Sequence, residues 1–381
     1  MARLGDVGKI ITGNTPNTSD EKNYESNDIC FIKPSDISDS EVTRLSSSEF
    51  HISEYARKKA RILPPRSVLV TCIGIIGKVA INAIECAFNQ QINAIIPDES
   101  KCTSEYLAYE ILYKQDELRI IANSPVVPII NKTQFSDIEV RLPLISEQRR
   151  VTNKLKKVDM LLSLRKQQLA KLDELVKSRF VEMFGENIDC SEKAFLEDIS
   201  EFVTVGIANS ATHAYSDNGV VMLRNQNIKE NYLDDADLIH ITPEFAEKYG
   251  SKQLEENDIL VIRTGYPGIA CLVPRKYAGC QTFTTLIVRL KDSSRIHANY
   301  VCHYINSSFG KEYVELSKVG VAQQNFGAKA LAKMPIRIPS LGMQEEFSAF
   351  IEQTDKSKLA VKQTIEKLET LKKSLMQQYF G

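Results

Sequence analysis

The sequence predicts an α+β chain. Two homologous mixed α/β domains are each followed by a long helix, the two helices can pair with each other, as in an antiparallel coiled coil, and the whole repeats with pseudo-twofold symmetry. Three observations predict it. The chain resembles itself at an offset of 191 to 196 residues, each half closes on a segment of one fixed length, and both closing segments carry a heptad pattern.

The first domain, 1–143, opens on Leu4-Gly5-Asp6-Val7, repeated later as Leu196-Glu197-Asp198-Ile199. Phe31-Ile32-Lys33 with Asp36-Ile37 matches Met222-Leu223-Arg224 with Asn227-Ile228. Val68-Leu69-Val70, then Gly74 and Gly77, matches Ile259-Leu260-Val261, then Gly265 and Gly268. Tyr106 pairs with Tyr300, Asn131 with Asn325, Leu142-Pro143 with Ile338-Pro339 and Gln148 with Gln344. Short runs rich in Val, Ile and Phe predict strands at 30–33, 68–71, 79–84, 94–96 and 138–141, with a helix at 105–115. The polar stretch 12–26 reads as a long loop.

The central segment, 144–185, reads as one helix without Pro or Gly before Gly185. Val151, Leu155, Val158, Leu162, Leu169, Leu172 and Val176 recur at alternating spacings of four and three, and only Arg165 breaks the seam. Ser146 is the expected N-cap and Gly185 the expected C′ residue. Leu161, Leu164 and Leu175 add apolar surface beside the seam. From Arg149 to Arg179 there are ten basic residues against three acidic ones, a possible phosphate-facing stripe or a solvated face.

The second domain, 186–339, repeats the strand pattern at 220–224, 259–262, 269–273 and 285–290, with a helix at 299–307 and a long loop at 207–219. The closing segment, 340–381, carries Phe347, Ile351, Val361, Ile365, Leu368 and Leu375 in the same spacing, with Thr354, Lys358 and Lys372 as polar faults. From Gln148 to Phe184 and from Gln344 to Phe380 is 36 residues in each case, a fixed length that suits a rigid spacer. Each half ends in Phe-Gly.

Composition narrows the function classes. Hydrophobic residues are 43% and charged residues 25%, which excludes disorder and collagen-like structure. The net charge of −1 does not announce a nucleic-acid binder, so any such surface must come from local segregation of charge. The eight cysteines form no Cys-x-x-Cys pair and fit no zinc spacing. With no signal-peptide pattern in Met1-Ala2-Arg3-Leu4-Gly5-Asp6, they are expected to be buried, reduced thiols of a cytoplasmic protein. No apolar run reaches 18 residues, so no membrane contact is expected.

Candidate DNA-contacting side chains cluster near the loops. Lys33, Arg57, Lys58 and Lys78 are cations of the first domain, with Asn89 and Gln90 as amides able to read base edges. Arg224, Asn225, Arg263, Tyr266 and Gln281 are their counterparts in the second. Each alone is more often an ordinary surface residue. No catalytic motif survives inspection. Gly74-Ile75-Ile76-Gly77-Lys78 resembles the end of a phosphate loop, but Cys72 and Val79 stand where Gly and Ser or Thr are needed. No Gly-x-Gly-x-x-Gly occurs, and the five histidines are scattered, so no cofactor, metal or catalytic residue is expected.

The ordered, duplicated set of motifs resembles the specificity subunit (HsdS family) of type I restriction-modification systems. Its marks are Pro128-Ile129-Ile130-Asn131-Lys132, then Ile138 to Gln148 through Leu142-Pro143, then the helix to Phe184. Gln324-Asn325 and Ile336-Arg337-Ile338-Pro339 to Gln344 repeat them more loosely, with Met343 in place of the usual Glu. The resemblance implies two target recognition domains, each reading one half of a bipartite, asymmetric site on double-stranded DNA. It implies a coiled coil that sets their spacing and docks two modification (methyltransferase) subunits, with a restriction subunit as an optional further partner. It implies a non-catalytic role in DNA methylation and restriction. Two readings of other classes stand beside it: a stand-alone DNA-modifying enzyme with an unrecognised active site, and a coiled-coil scaffold for proteins.

Overall fold

A computed structural model describes residues 1–122, 127–185, 192–208, 212–291, 295–318 and 325–381. The chain divides into two compact units, one of Met1–Gln167 with Val361–Gly381, the other of Gln168–Ala360. Both boundaries fall inside the long helices, which run Ile145–Phe184 and Leu341–Phe380, 40 residues each.

The first unit holds a five-stranded sheet in the order Gly8–Thr12, Ile92–Pro97, Val68–Thr71, Val79–Asn82, Thr43–Leu45. A second sheet orders Phe50–Ile52, Ile29–Ile32, Cys86–Phe88 and Ile62–Leu63. Val68, Leu69, Val70 and Thr71 are all buried, which is why that strand reads as a continuous apolar run rather than an alternating one. A short ladder of Ala2–Arg3 against Glu139–Val140 joins the start of the domain to its end. Helix Ser104–Tyr113 has Thr103 as N-cap, its hydroxyl accepting from the Tyr106 N–H.

The second unit repeats this plan. One sheet orders Ser200–Val205, Leu286–Leu290, Ile259–Val261 and Ala270–Leu272. The other orders Tyr215–Ser216, Ile239–Ile241, Val220–Leu223 and Gln281–Thr282. Glu192–Phe195 pairs with Pro335–Ile338 as the matching ladder, and Ala298–Asn306 is the matching helix. The strands and helices expected from sequence thus appear within about two residues of their predicted ends.

Two sequence expectations need correction. The Leu144 carbonyl already accepts from the N–H groups of Glu147 and Gln148, so the helix opens earlier and Ser146 lies inside its first turn instead of capping it. Asn131 does not correspond to Asn325. The Ile130 N–H bonds the Cys72 carbonyl while the Phe326 N–H bonds that of Arg263, so Asn131 corresponds to Gly327, each the N-cap of a short helix.

The repeated glutamines have a physical role. The side chain of Gln148 is fully buried, accepts from the Thr103 N–H (2.9 Å) and donates to the carbonyls of Lys101 and Pro143 (both 2.9 Å). Gln344 does the same in the second unit with the His297 N–H (2.8 Å) and the carbonyls of Arg295 (3.1 Å) and Pro339 (3.0 Å). Each amide ties the start of a long helix to the start of a domain helix. Gln148→Ala leaves one buried and two part-buried backbone groups without this partner. It should destabilise the first unit by about 2 kcal/mol, read as faster amide exchange at the start of Ser104–Tyr113, with Gln344→Ala doing likewise in the second.

Inside each unit the long helices pack antiparallel. In the first, Val151, Leu155, Val158 and Leu162 are buried with Val361, Met376 and Phe380, and Ile365, Leu368 and Leu375 are partly covered. Lys154 meets the Tyr379 hydroxyl (3.0 Å) and Asp159 meets Lys372 (2.8 Å). In the second, Val176, Phe347 and Ile351 are buried, Leu169 and Leu172 are partly covered, and Asp173 meets Lys358 (2.7 Å). The two seam lysines that look like faults are therefore each answered by an aspartate of the facing helix, and buried Thr354 donates its hydroxyl to the Phe350 carbonyl (2.9 Å).

The closing phenylalanines explain the repeated tyrosines. Phe184, which ends the first long helix, packs edge-on against Tyr300 (4.9 Å between centroids) and Phe347 (5.3 Å) in the second unit. Phe380, which ends the second, packs on Tyr106 (5.3 Å) and Tyr113 (6.0 Å) in the first. Each helix tip thus completes the core of the domain other than the one that leads directly into its helix.

Candidate nucleic-acid interface

The frame of each domain presents one turn in the same way. In the first unit, strand Val68–Thr71 reaches Val79–Asn82 through Gly74-Ile75-Ile76-Gly77, with φ of +76° at Gly74 and +84° at Gly77. In the second, Ile259–Val261 reaches Ala270–Leu272 through Gly265-Tyr266-Pro267-Gly268, with φ of +85° and +93°. Side-chain-bearing residues rarely adopt this backbone, which accounts for the repeated glycine pair.

Polar side chains gather at the second turn. Arg263 donates Nε–H to Asn325 Oδ1 (3.0 Å), and Asn225 donates from Nδ2 to Thr264 Oγ1 (3.2 Å). Arg224 pairs with Asp237 (3.1 Å), which also accepts from Gln226 (2.8 Å). Asn225 Oδ1 and Arg224 Nε are buried without a partner among the described residues. Tyr266 stands 81% exposed at the tip.

In the first unit, Lys33 holds its ammonium 3.1 Å from the centroid of the Phe50 ring, a cation–π contact. The two line a cavity of about 330 Å³ together with Tyr24, His51, Asn89 and Gln91. Gln90 is exposed and accepts from the Thr15 hydroxyl (2.6 Å), while buried Asn89 donates to Gln91 (2.8 Å). Lys58 is exposed and makes no ion pair or hydrogen bond among the described residues.

Three of the expected contacts are engaged within the protein. Lys78 is buried, its ammonium held between the Pro34 carbonyl (3.4 Å) and Asp39 (3.5 Å). Gln281 is fully buried and donates to the carbonyls of Ala246 (2.7 Å) and Tyr249 (3.1 Å). Arg57 is spent on two carboxylates, Glu54 (2.5 Å) and Glu85 (2.6 Å). The Glu54 partner, one helical turn away, was a visible signal. Asn325 and Ile75 belong to the turns and were not among the expected contacts; their positions beside the glycine pairs could have marked them.

Buried titratable groups lie away from the turns. Burial pushes the thiols of Cys72, Cys86, Cys102 and Cys271 up to about 12, which makes them inert at neutral pH. Seven cysteines are unpaired; Cys190 lies outside the described residues. His303, between the rings of Phe180 and Phe347, is lowered to about 3 by burial and by the charge of Lys358. No group of His, Cys, Asp and Glu among the described residues could hold a metal ion, and no helix is long and apolar enough to cross a membrane.

Glu110 is fully buried, one oxygen accepting from the Arg141 N–H and the other without a partner. Burial raises it to about 7 from 4.5, against the opposing pull of that N–H and of Lys114 and Arg141. A raised folded value means that its share of stability is fully present below pH 4.5 and is lost as pH climbs through about 7. Glu110→Gln should therefore stabilise the first unit at pH 8 by about 2–3 kcal/mol, have little effect at pH 4, and flatten the unfolding profile between them.

Comparison with known proteins follows the same duplicated frame. The family described as "Type I restriction modification DNA specificity domain" matches residues 1–174 and again 190–370. The chain is 30% identical over 188 residues to the type I restriction enzyme MjaIX specificity subunit of Methanocaldococcus jannaschii, covering 48% of this chain and 43% of that one. It is 29% identical over 167 residues to the EcoR124I/EcoR124II specificity subunit of Escherichia coli, covering 42% and 40%. The matched region spans less than half the length of these relatives. The fold is similar to the S subunit of a type I restriction-modification system from M. genitalium, with a TM-score of 0.55 and 11% identity over 98% of this chain and 94% of that one. It is also similar to a chain from a study of type I R-M complex assembly and conformational transition, with a TM-score of 0.60 and 16% identity over 100% and 96%.

Proposed function

Because the chain belongs to the type I restriction-modification DNA specificity family, we propose that it is the DNA-recognition subunit of a type I methyltransferase and restriction complex. Residues 1–143 and 186–339 each read one half of a bipartite, asymmetric site on double-stranded DNA. The helical segments 144–185 and 340–381 set the gap between the halves and dock two modification subunits, with a restriction subunit as an optional further partner. The chain itself performs no chemistry and works in the cytoplasm. The observation that supports this best is the duplicated turn, one backbone in both domains with different side chains on it. A reader of an asymmetric site needs that combination, a common frame for posture and divergent loops for sequence.

The test is affinity. With a net charge of −1, the chain should bind DNA weakly alone and tightly, in a salt-dependent way, with two modification subunits. A tight specific shift by the isolated chain would count against the proposal. Within the complex, Arg263→Ala should relax specificity at one position of one half-site, at a cost of about 1–3 kcal/mol. Lys58→Ala should weaken all sequences alike and lower the salt slope by about one. A panel of single-base site variants at two salt concentrations separates the two behaviours.

A further inference from the structure

We propose that Ile75 and Tyr266 are wedge residues, each entering the base stack of the half-site its own domain reads and opening one base step there. This rests on the DNA-recognition reading above and names how that surface engages its ligand.

Both residues occupy the tip of the glycine-bounded turn, and both tips are held rigidly. The Gly77 N–H bonds the Thr71 carbonyl (2.9 Å) and the Gly268 N–H bonds that of Ile262 (2.9 Å), closing each turn in the same way. On the flank, Gly74 N–H bonds the Pro128 carbonyl (3.0 Å) and Ile73 bridges to Ile129, while Thr264 bridges to Asn325. The neighbour Ile76 is 5% exposed in the core, which anchors the first turn from inside. Outside, a Cβ built on Gly74 or Gly265 meets nothing within 4 Å among the described residues. At these tips Ile75 is 53% exposed and Tyr266 81% exposed, its hydroxyl without a partner among the described residues.

A large side chain fixed on an inflexible turn keeps its apolar surface in water at a standing cost, and loses little freedom when it is later buried. Proteins that unstack DNA use this arrangement, an apolar wedge flanked by polar groups that hold the backbone and base edges. Arg263, Asn225 and Arg224 supply such groups beside Tyr266. A protein partner fits less well. Two copies of one modification subunit would meet the same side chain at equivalent places, whereas the tips are a branched aliphatic and an aromatic. Base steps of two different half-sites impose no such identity, since every base offers a π-face to either.

The experiment uses the full chain assembled with its modification subunits, on a duplex in which 2-aminopurine replaces the bases of the site one at a time. Fluorescence should rise at one step in each half-site. Tyr266→Ala should abolish the rise in the half-site read by the second domain and lower affinity roughly tenfold, while Tyr266→Phe retains both. Ile75→Ala should act on the other half-site alone, with Ile75→Leu retaining its signal. A bound complex in which no position brightens, or in which both alanine variants keep the signal, overturns the wedge and leaves the recognition reading intact. Alanine variants that lose modification subunits while the signal persists assign the tips to protein docking and overturn it as well. A complete complex that shows no salt-dependent DNA binding overturns the recognition reading and the wedge together.

Discussion

Four residues inserted after Leu164 should leave both half-sites of the methylated sequence unchanged and alter or abolish the gap between them. The site is well inside the Ile145–Phe184 helix, and Leu164 itself is 48% exposed, so the insert disturbs length and phase rather than a packed side chain. An α-helix gains about 6 Å and turns by roughly 40° for four extra residues. The coil can absorb part of this as a stutter. The segments after Gln148 and Gln344 have equal lengths, so a change in one alone breaks the match between them. Methylome sequencing of a host carrying the variant and its modification partner gives the answer directly. If spacing and activity are untouched, the helices do not set the gap.

Asp159→Ala should destabilise the first unit by about 3 kcal/mol, more than most seam substitutions. Its carboxylate accepts from the Tyr109 hydroxyl (2.6 Å) and pairs with Lys372 (2.8 Å), whose side chain is only 15% exposed. Removing it strands an ammonium and a hydroxyl inside the seam. Replacing both members, Asp159→Leu with Lys372→Leu, should recover much of the loss, because the alternative to a covered ion pair is a well-packed apolar contact. A double-mutant cycle in denaturant measures the coupling, and a double variant no better than the single one would show that packing, not charge, decides the site.

These seam lysines show where the sequence stops being readable. The spacing of Val151, Leu155, Val158 and Leu162 is local, and it reported the buried face correctly. Whether Lys358 and Lys372 weaken that face depends on Asp173 and Asp159, some 185 and 213 residues away in the chain, so no local pattern contains the answer. Domain frames were legible for the same reason as the helix seam, since burial of Val68–Thr71 or of Leu286, Ile287 and Val288 follows from composition over a few residues. Contact residues were not. Lys78 and Gln281 adjoin loops in sequence, yet both side chains turn inward to satisfy carbonyls, and direction is a property of the folded sheet. The turn that carries Tyr266 beside Arg263, by contrast, was legible because the glycine pair fixes a turn wherever it occurs.

The exchange of helix tips bears on how the chain is made. The core of the first domain includes Met376 and Phe380, the latter lying against Tyr106 and Tyr113. A ribosome releases the chain from its N-terminus onward, and domains ordinarily close in that order. Here Tyr106 is synthesised more than 270 residues before the ring that covers it. The first domain therefore waits, its aromatic seat open, until Phe380 has been made. The second domain receives Phe184 before its own strands exist, and needs only Phe347 and Ile351, made soon after its last strand, to close. The domain translated second is the one that can complete its core first, and loss of the last turn of Leu341–Phe380 leaves its defect in the domain made first.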